Sequence, residues 1–340
     1  MQTILLLGGA GFVGSCVAHD LLRQGYGVII LDLFLHHQAI VLPGAIVIHG
    51  DFGDVSLVRA IFITHQISAV MHFAAYIEVG RSVQEPAAFY ENNFINTKRL
   101  LDLMREHNVT KIVFSSTCAI YAPLHGLEKL TERHSINPLS PYGKTKCAVE
   151  FLLQDYASAY GLSYVSLRYF NAAGAEPAYG LGEQHDPETH VIPLLFQACE
   201  RDAAFTLFGD DYETPDGTCV RDYVHVRDLS SAHCKALSYL LSGCQSIALN
   251  LGSGRGYSVR ELIAVVVATT GKNIATVIKQ RRAGDVPFLV ADATLAEHVL
   301  GWRAEASLEH IVEDAWRFYH MDKQKKQLKN NASALSIENS

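Results

Sequence analysis

Nowhere in these 340 residues is there an apolar run approaching the roughly 18 needed to cross a bilayer, so no membrane span is expected. The seven cysteines (16, 118, 147, 199, 219, 234 and 244) are odd in number and include no CxxC pair. That pattern argues against both a disulfide framework and a zinc ribbon, and they read as buried, reduced thiols. A formal charge of −7 with no dense basic stretch in the body leaves no footprint for nucleic acid. The one lysine-rich piece, Lys323 to Lys329, falls in a polar end segment, 321–340, expected to be a disordered tail. Met1-Gln2-Thr3 carries no positive charge and Ile4 to Leu7 is too short for a signal-peptide core, so the expected location is the cytoplasm. Standard metal spacing is missing as well: His185, Asp186, Glu188 and His190 match no known ligand pattern, and no metal is expected.

What remains is an ordinary globular composition, 49% hydrophobic and 19% charged, in a chain long enough for a substantial core. Short β-branched runs alternate with helical patterns through the first half, which is the signature of βαβ units around a parallel sheet. Strands are expected at Thr3 to Leu7, Val28 to Leu31, Ala45 to Ile48, Ala69 to Phe73, Lys111 to Ser115 and Ser163 to Leu167. Helices are expected at about Phe12 to Arg23, Val55 to His65, Phe89 to His107 and Tyr142 to Tyr160. The fold class is therefore α/β, a Rossmann-type doubly wound parallel sheet with a smaller α/β C-terminal region for substrate. The corresponding domains are 1–172 and 173–320, with some later segments returning to the first. Ser258-Val259-Arg260-Glu261 is a capping box and marks a helix start.

Gly8-Gly9-Ala10-Gly11-Phe12-Val13-Gly14 follows the first strand and opens the first helix. Glycines at 8, 11 and 14 suit a tight turn, a close approach of backbone N–H groups to a pyrophosphate, and close packing of helix on strand. Asp32 ends the second strand, where a carboxylate accepts hydrogen bonds from ribose hydroxyls; no arginine follows it, which favours NAD over NADP. Gly50-Asp51-Phe52 offers an adenine contact, although an aspartate there also suits a helix cap. Further on, Tyr142 and Lys146 stand four apart on one helix face, and Ser115-Ser116-Thr117 ends the strand before them, where the crevice of such a sheet lies. A Thr hydroxyl, a Tyr phenol and a Lys ammonium make a proton-transfer device. With an ordinary pKa near 10, the phenol acts as a base at neutral pH only if nearby positive charge lowers it.

Together with Arg168-Tyr169-Phe170-Asn171, these motifs resemble the extended short-chain dehydrogenase/reductase superfamily, and within it the UDP-glucose 4-epimerases. Val220-Arg221-Asp222-Tyr223-Val224-His225-Val226, Asn250-Leu251-Gly252-Ser253-Gly254 and Arg281-Arg282-Ala283-Gly284-Asp285 extend the resemblance from about residue 3 to about 320. It implies interconversion of UDP-galactose and UDP-glucose through transient oxidation at C4. Tyr142 would take the proton of the 4-hydroxyl, Thr117 would hydrogen-bond that hydroxyl, and Lys146 would hold the nicotinamide ribose. The 4-keto sugar would then turn over and receive the hydride on its other face.

The implied NAD contacts are Gly8, Gly11, Phe12, Val13, Gly14, Asp32, Asp51, Phe52, Phe73, Ala74, Ala75, Asn92, Ser115, Tyr142, Lys146 and Tyr169. For the UDP-sugar the resemblance implies Thr117 and Tyr142 at the sugar, Asn171, Arg221 and Arg282 near the diphosphate, Phe208 and Asp285 near the uridine, and His190 and Val191 beside the nucleotide. Leu289 falls where sugar size is limited. It also implies a homodimer paired through helices near 89–107 and 142–160. Two departures stand out: Leu33-Phe34-Leu35-His36-His37 replaces the usual Asn after Asp32, and Ile77 stands where some members carry Lys. A 4,6-dehydratase is disfavoured because Thr117-Cys118-Ala119 replaces the acids of a Thr-Asp-Glu motif. A UDP-xylose/UDP-arabinose epimerase stays open. So does a non-catalytic NAD sensor, though a sensor has no need of the triad.

Overall fold

The computed structural model describes residues 1–34, 42–123, 126–185, 187–282 and 285–338. Its first half runs β1 (Thr3–Leu7), α1 (Phe12–Arg23), β2 (Gly27–Asp32), β3 (Ala45–His49), α2 (Val55–Thr64), β4 (Ile67–His72), α3 (Val79–Gln84) and α4 (Pro86–Phe89). A π-helical turn (Tyr90–Ile95), α5 (Asn96–Glu106), β5 (Lys111–Thr117), α6 (Pro141–Tyr160) and β6 (Ser163–Tyr169) complete it. The second half comprises β7 (Asn171–Ala173), β8 (Ala175–Glu176), β9 (Leu181–Gly182), α7 (Val191–Arg201), β10 (Phe205–Phe208), β11 (Val220–His225), α8 (Val226–Leu241) and β12 (Ile247–Leu251). It closes with β13 (Gly256–Ser258), α9 (Val259–Thr270), β14 (Thr276–Lys279), β15 (Phe288–Leu289), α10 (Thr294–Leu300) and α11 (Leu308–Glu338).

A seven-stranded parallel sheet in the order β12-β6-β5-β4-β1-β2-β3 forms the centre. Because the chain moves outward in both directions from β1 and β4, the strand order reverses between those two, and the crevice beyond their carboxyl ends is the natural ligand site. The apolar run Ile4-Leu5-Leu6-Leu7 is wholly buried, as a strand covered on both faces requires. Ile4 and Leu6 join α1 and α8 on one face, while Leu5 and Leu7 join α2, α5 and α6 on the other. A smaller mixed sheet sets β11 antiparallel to β13 and parallel to β7 and β15. It packs with α7, α9 and α11 into a separate apolar cluster. β12 crosses back from this region to pair with β6.

Two expectations are corrected. The polar segment after Met321 is not a disordered tail but the continuation of α11 to Glu338. Its lysines, glutamines and alanines favour a helix, and the start of the segment is tethered. Asp322 accepts from Gln184 at 2.5 Å and pairs one turn on with Lys326 at 2.7 Å, while Lys323 pairs with Glu200. The single helix expected over Phe89 to His107 is interrupted by the π-helical turn, a local widening common at functional sites. There Asn93 accepts from the Tyr76 N–H at 2.8 Å and donates to the Tyr76 carbonyl at 2.9 Å, pinning the chain that follows β4. The capping box at Ser258 and Glu261 forms with both reciprocal bonds. All seven cysteines are unbonded, six of them buried. Of the helices described, none is long and apolar enough to cross a membrane.

Candidate active site

The turn between β1 and α1 is set by backbone against backbone. Gly8 has φ +74°, and a Cβ there would lie 2.6 Å from the amide nitrogen of Ala74; one on Gly14 would lie 2.4 Å from the Gly8 carbonyl oxygen. Only glycine lets the first turn of α1 sit this close to two strand ends. Helix α1 begins at Gly11 with no side-chain cap and no acid in its first turn, so its leading N–H groups and its positive dipole end are left to a bound anion. Asp32 faces this turn: its two oxygens accept from the N–H groups of Ala10 at 3.0 Å and Phe34 at 2.9 Å, which fixes the carboxylate at the mouth. This donor set fits the pyrophosphate and ribose of a dinucleotide.

From the glycine turn a cleft of about 360 Å³ opens along the carboxyl ends of the sheet, within the usual range for a ligand site. Gly8, Gly11, Phe12, Val13, Gly14, Asp32, Phe52, Phe73, Ala74, Ala75, Asn92, Ser115, Thr117, Tyr142, Lys146, Tyr169, Asn171 and His190 all line it. Asp51 lies between Gly50 and Phe52, both of which line the cleft. One of its carboxylate oxygens accepts the Gly53 N–H at 2.7 Å within the turn ahead of α2, whose cap is Asp54. Of the altered loop after Asp32, Leu35, His36 and His37 lie outside the described residues.

At the inner end, Lys146 donates from Nζ to the Ser115 carbonyl at 2.8 Å, and its ammonium lies 4.9 Å from the centre of the Phe114 ring. Burial pulls this lysine down to about 7, with Glu150 opposing the shift. Burial also drives the Tyr142 phenol well above its ordinary value, while a hydrogen bond with Thr117 works in the other direction. Tyr169, bonded to the Ser115 hydroxyl, is raised by burial to about 12. A phenol raised in this way stays protonated near neutrality unless positive charge is added beside it.

Sequence-predicted substrate residues fall into two groups. Thr117, Tyr142, Asn171 and His190 share the cleft; Val191 opens α7 immediately behind His190. Phe208, Arg221, Arg282, Asp285 and Leu289 gather around the smaller sheet. The Arg282 guanidinium sits 4.0 Å from the Phe208 ring centre, Arg221 lies 3.6 Å from Asp285, and Arg221 is in register with Leu289. Asn171 links the groups by donating to the Asp222 carbonyl at 2.8 Å. A bracing pair of Arg221 with Asp222 or Asp228 does not form, since those carboxylates accept backbone N–H groups of Gly254 and Ala291, and of Glu305 and Ala306. Leu289 packs on a cluster containing Cys118, Ile120 and Phe170, the last of which lines the cleft. Ala283 and Gly284 lie outside the described residues.

The sequence reading missed Glu183. It joins His185, Glu188 and His190 with donor atoms within 4.8 Å of one another; Asp186 lies outside the described residues. His190 Nδ1 lies 2.6 Å from Glu183 and 3.1 Å from Glu188. Against burial, those bonds push His190 up to about 10, and the two histidines hold Glu183 down to about 2. No spacing rule points to Glu183, because its role depends on a loop folding back on itself.

Fold and cleft together define a Rossmann-type nucleotide-dependent enzyme. The model of the NAD dependent epimerase/dehydratase family matches residues 4–252. The UDP-glucose 4-epimerase of Halalkalibacterium halodurans is 46% identical over 320 residues, covering 94% of this chain and 96% of the relative. Among solved structures, UDP-glucose 4-epimerase from Brucella ovis in complex with NAD is similar with a TM-score of 0.89 and 42% identity, covering 94% of this chain and 99% of that one. UDP-glucose-4-epimerase from Stenotrophomonas maltophila, with bound NAD and formylated UDP-arabinopyranose, gives a TM-score of 0.91 at 36% identity over 96% of this chain and 100% of that one. The chain belongs to the NAD dependent epimerase/dehydratase family. It is an NAD-dependent isomerase.

A methyl group at position 14 meets backbone it cannot displace without opening the turn. Gly14→Ala is therefore expected to purify with strongly reduced NAD content, measured as cofactor released on denaturation; full NAD content in a folded variant contradicts this account of the turn.

Proposed function

We propose that this protein interconverts UDP-galactose and UDP-glucose by transient oxidation at the sugar C4, with NAD retained through the cycle. The convergence of Thr117, Tyr142 and Lys146 on the cleft opened by the glycine turn carries this reading. The chemistry that NAD brings when bound is reversible hydride acceptance. Everything else falls to side chains. Tyr142 Oη accepts the proton of the sugar 4-hydroxyl and later returns it; Thr117, bonded to Tyr142, orients that hydroxyl. Lys146 contributes the positive charge that brings a burial-raised phenol toward use at neutral pH. Such a cycle needs no outside reductant.

The UDP portion reaches from Asn171 and His190 to the smaller sheet. Arg221 and Arg282 suit a diphosphate because a planar guanidinium makes paired, charge-assisted bonds; Phe208 and Asp285 suit a uridine. In this arrangement residues 1–172 hold NAD and 173–320 hold the UDP-sugar, with β12 returning to the first unit. The cluster around Glu183 is an ion-pair network that keeps His190 cationic beside the nucleotide, not a metal centre. A pentose reading has one specific support, the formylated UDP-arabinopyranose in the Stenotrophomonas structure. The protein works in the cytoplasm as a homodimer. Its apposed surface is built around α5, α6 and the π-helical turn, where Tyr90 and Phe151 are exposed.

Incubated with UDP-galactose and no added reductant, the protein is expected to give a UDP-glucose mixture readable by NMR; conversion of UDP-xylose instead would transfer the assignment to pentoses. Tyr142→Phe should lower turnover by about 100-fold or more with NAD still bound, whereas a sensor would be indifferent. Leu289 outsizes the residues associated with N-acetylated sugars, so Leu289→Cys should raise activity on UDP-N-acetylglucosamine, and no gain refutes its role at the sugar. Sedimentation is expected to show a dimer that Phe151→Glu weakens; a monomeric wild type ends that part of the proposal.

A further inference from the structure

Tyr142, Lys146 and Glu150 recur every four residues along α6 and so share one face of the helix. The first two belong to the catalytic set, while the third has no part in the reaction as described. Glu150 is 2% exposed, and its carboxylate is fully engaged. It accepts from Arg168 Nε at 3.0 and 3.1 Å, from Arg168 Nη2 at 2.5 Å, and from the Ser116 hydroxyl at 2.5 Å. Ser116 stands between Ser115, whose carbonyl receives Lys146, and Thr117. One buried carboxylate thus ties the strand end carrying Thr117 to the helix face carrying Tyr142 and Lys146.

We propose that Glu150 is a positioning residue for the epimerase reaction, holding β5 in register with the catalytic face of α6 and serving as the fixed counter-charge that keeps Lys146 an ammonium in the dry interior. The inference rests on the proposed epimerase activity of the same cleft. Its electrostatic half follows from what surrounds Lys146. From β5 come the Phe114 ring and the Ser115 carbonyl. From β4 comes His72, which burial holds neutral with its pKa lowered to about 3. From β6 come Arg168, already paired, and the Tyr169 phenol at the Ser115 hydroxyl. From α6 itself come Tyr142, protonated through burial, and Glu150. Among the described residues Glu150 is the one negative charge that supports the lysine, and its pull opposes the burial that lowers it.

The network continues past the pair. Arg168 Nη1 donates to the Tyr121 hydroxyl at 3.0 Å, which donates to Asn250 Oδ1 at 2.6 Å; Asn250 Nδ2 donates to the Leu130 carbonyl at 2.8 Å. The Leu130 N–H in turn donates to the carbonyl of Val290, the neighbour of Leu289. Catalytic helix and sugar-side wall are thereby joined through buried polar groups alone, all of them satisfied along this path.

The test uses the NAD-loaded enzyme and Glu150→Gln, which keeps volume and one acceptor oxygen but removes the charge. Loss of a negative neighbour lowers the Lys146 pKa, so the ammonium disappears at lower pH than before. The alkaline limb of kcat for UDP-galactose should accordingly move acid-ward by at least about half a pH unit, with KM changed by less than about twofold. The same shift should appear in the titration of the Lys146 side-chain NMR signal, identified by its loss in Lys146→Met, which needs no turnover. Wild-type protein that converts no UDP-sugar overturns the epimerase reading, while the lysine titration still decides whether Glu150 is its counter-charge. If Glu150→Gln fails to fold, the double variant Glu150→Met with Arg168→Met removes the pair without stranding a charge and takes its place. An alkaline limb and a Lys146 titration that both stay at the wild-type pH, whatever happens to thermal stability, overturn the proposal.

Discussion

Everything in this molecule hangs on how closely two pieces of backbone approach at the end of β1. The carbonyl of Gly8 lies under Gly14, and the Ala74 amide lies beside Gly8, at separations that leave no room for a methyl group. That contact aims α1 at the reversal point of the sheet with its leading N–H groups unclaimed. A side-chain cap there would stabilise the helix locally by about 1 kcal/mol. Leaving it out forgoes that gain and reserves the helix end for an anion. Asp32, held by the Ala10 and Phe34 amides, then sets the other end of the cradle.

The side chains proposed to carry the proton transfer answer to a second constraint, dryness. Lys146 and Tyr142 titrate in opposite directions for the same reason: burial disfavours the charged form of each. Neither is poised for proton transfer alone. Each depends on charge placed nearby by the fold, and the apolar walls that raise the phenol also magnify the effect of whatever positive charge approaches it.

Much of this was legible in the sequence, because the informative signals are local. The strand at Thr3–Leu7 and the helix at Phe12–Arg23 are delimited by an apolar run and by glycines within a dozen residues of each other. Tyr142 and Lys146 are linked by helical spacing. Where the reading failed, the deciding contact was distant in sequence or hidden in backbone geometry. The end segment after Met321 looked disordered by composition, yet Gln184 and Glu200 reach it from well over a hundred residues away. Glu150 went unread in the sequence, because nothing in spacing says that β6 will bring the Arg168 guanidinium beneath that helix face.

The crossing of β12 gives the fold an order of assembly. Ile247–Leu251 pairs with Val165–Tyr169 of β6, and about eighty residues, which include much of the smaller region and α8, intervene between them. While the chain is being made, β6 is therefore an open sheet edge with unpaired N–H and C=O groups, a surface that invites pairing with other chains. The interval closes only when the smaller region has formed and returned its strand, a long-range step that tends to slow folding. A substitution that merely delays the second half would thus act as an aggregation defect of the first, even though it touches neither the glycine turn nor the proton-transfer groups.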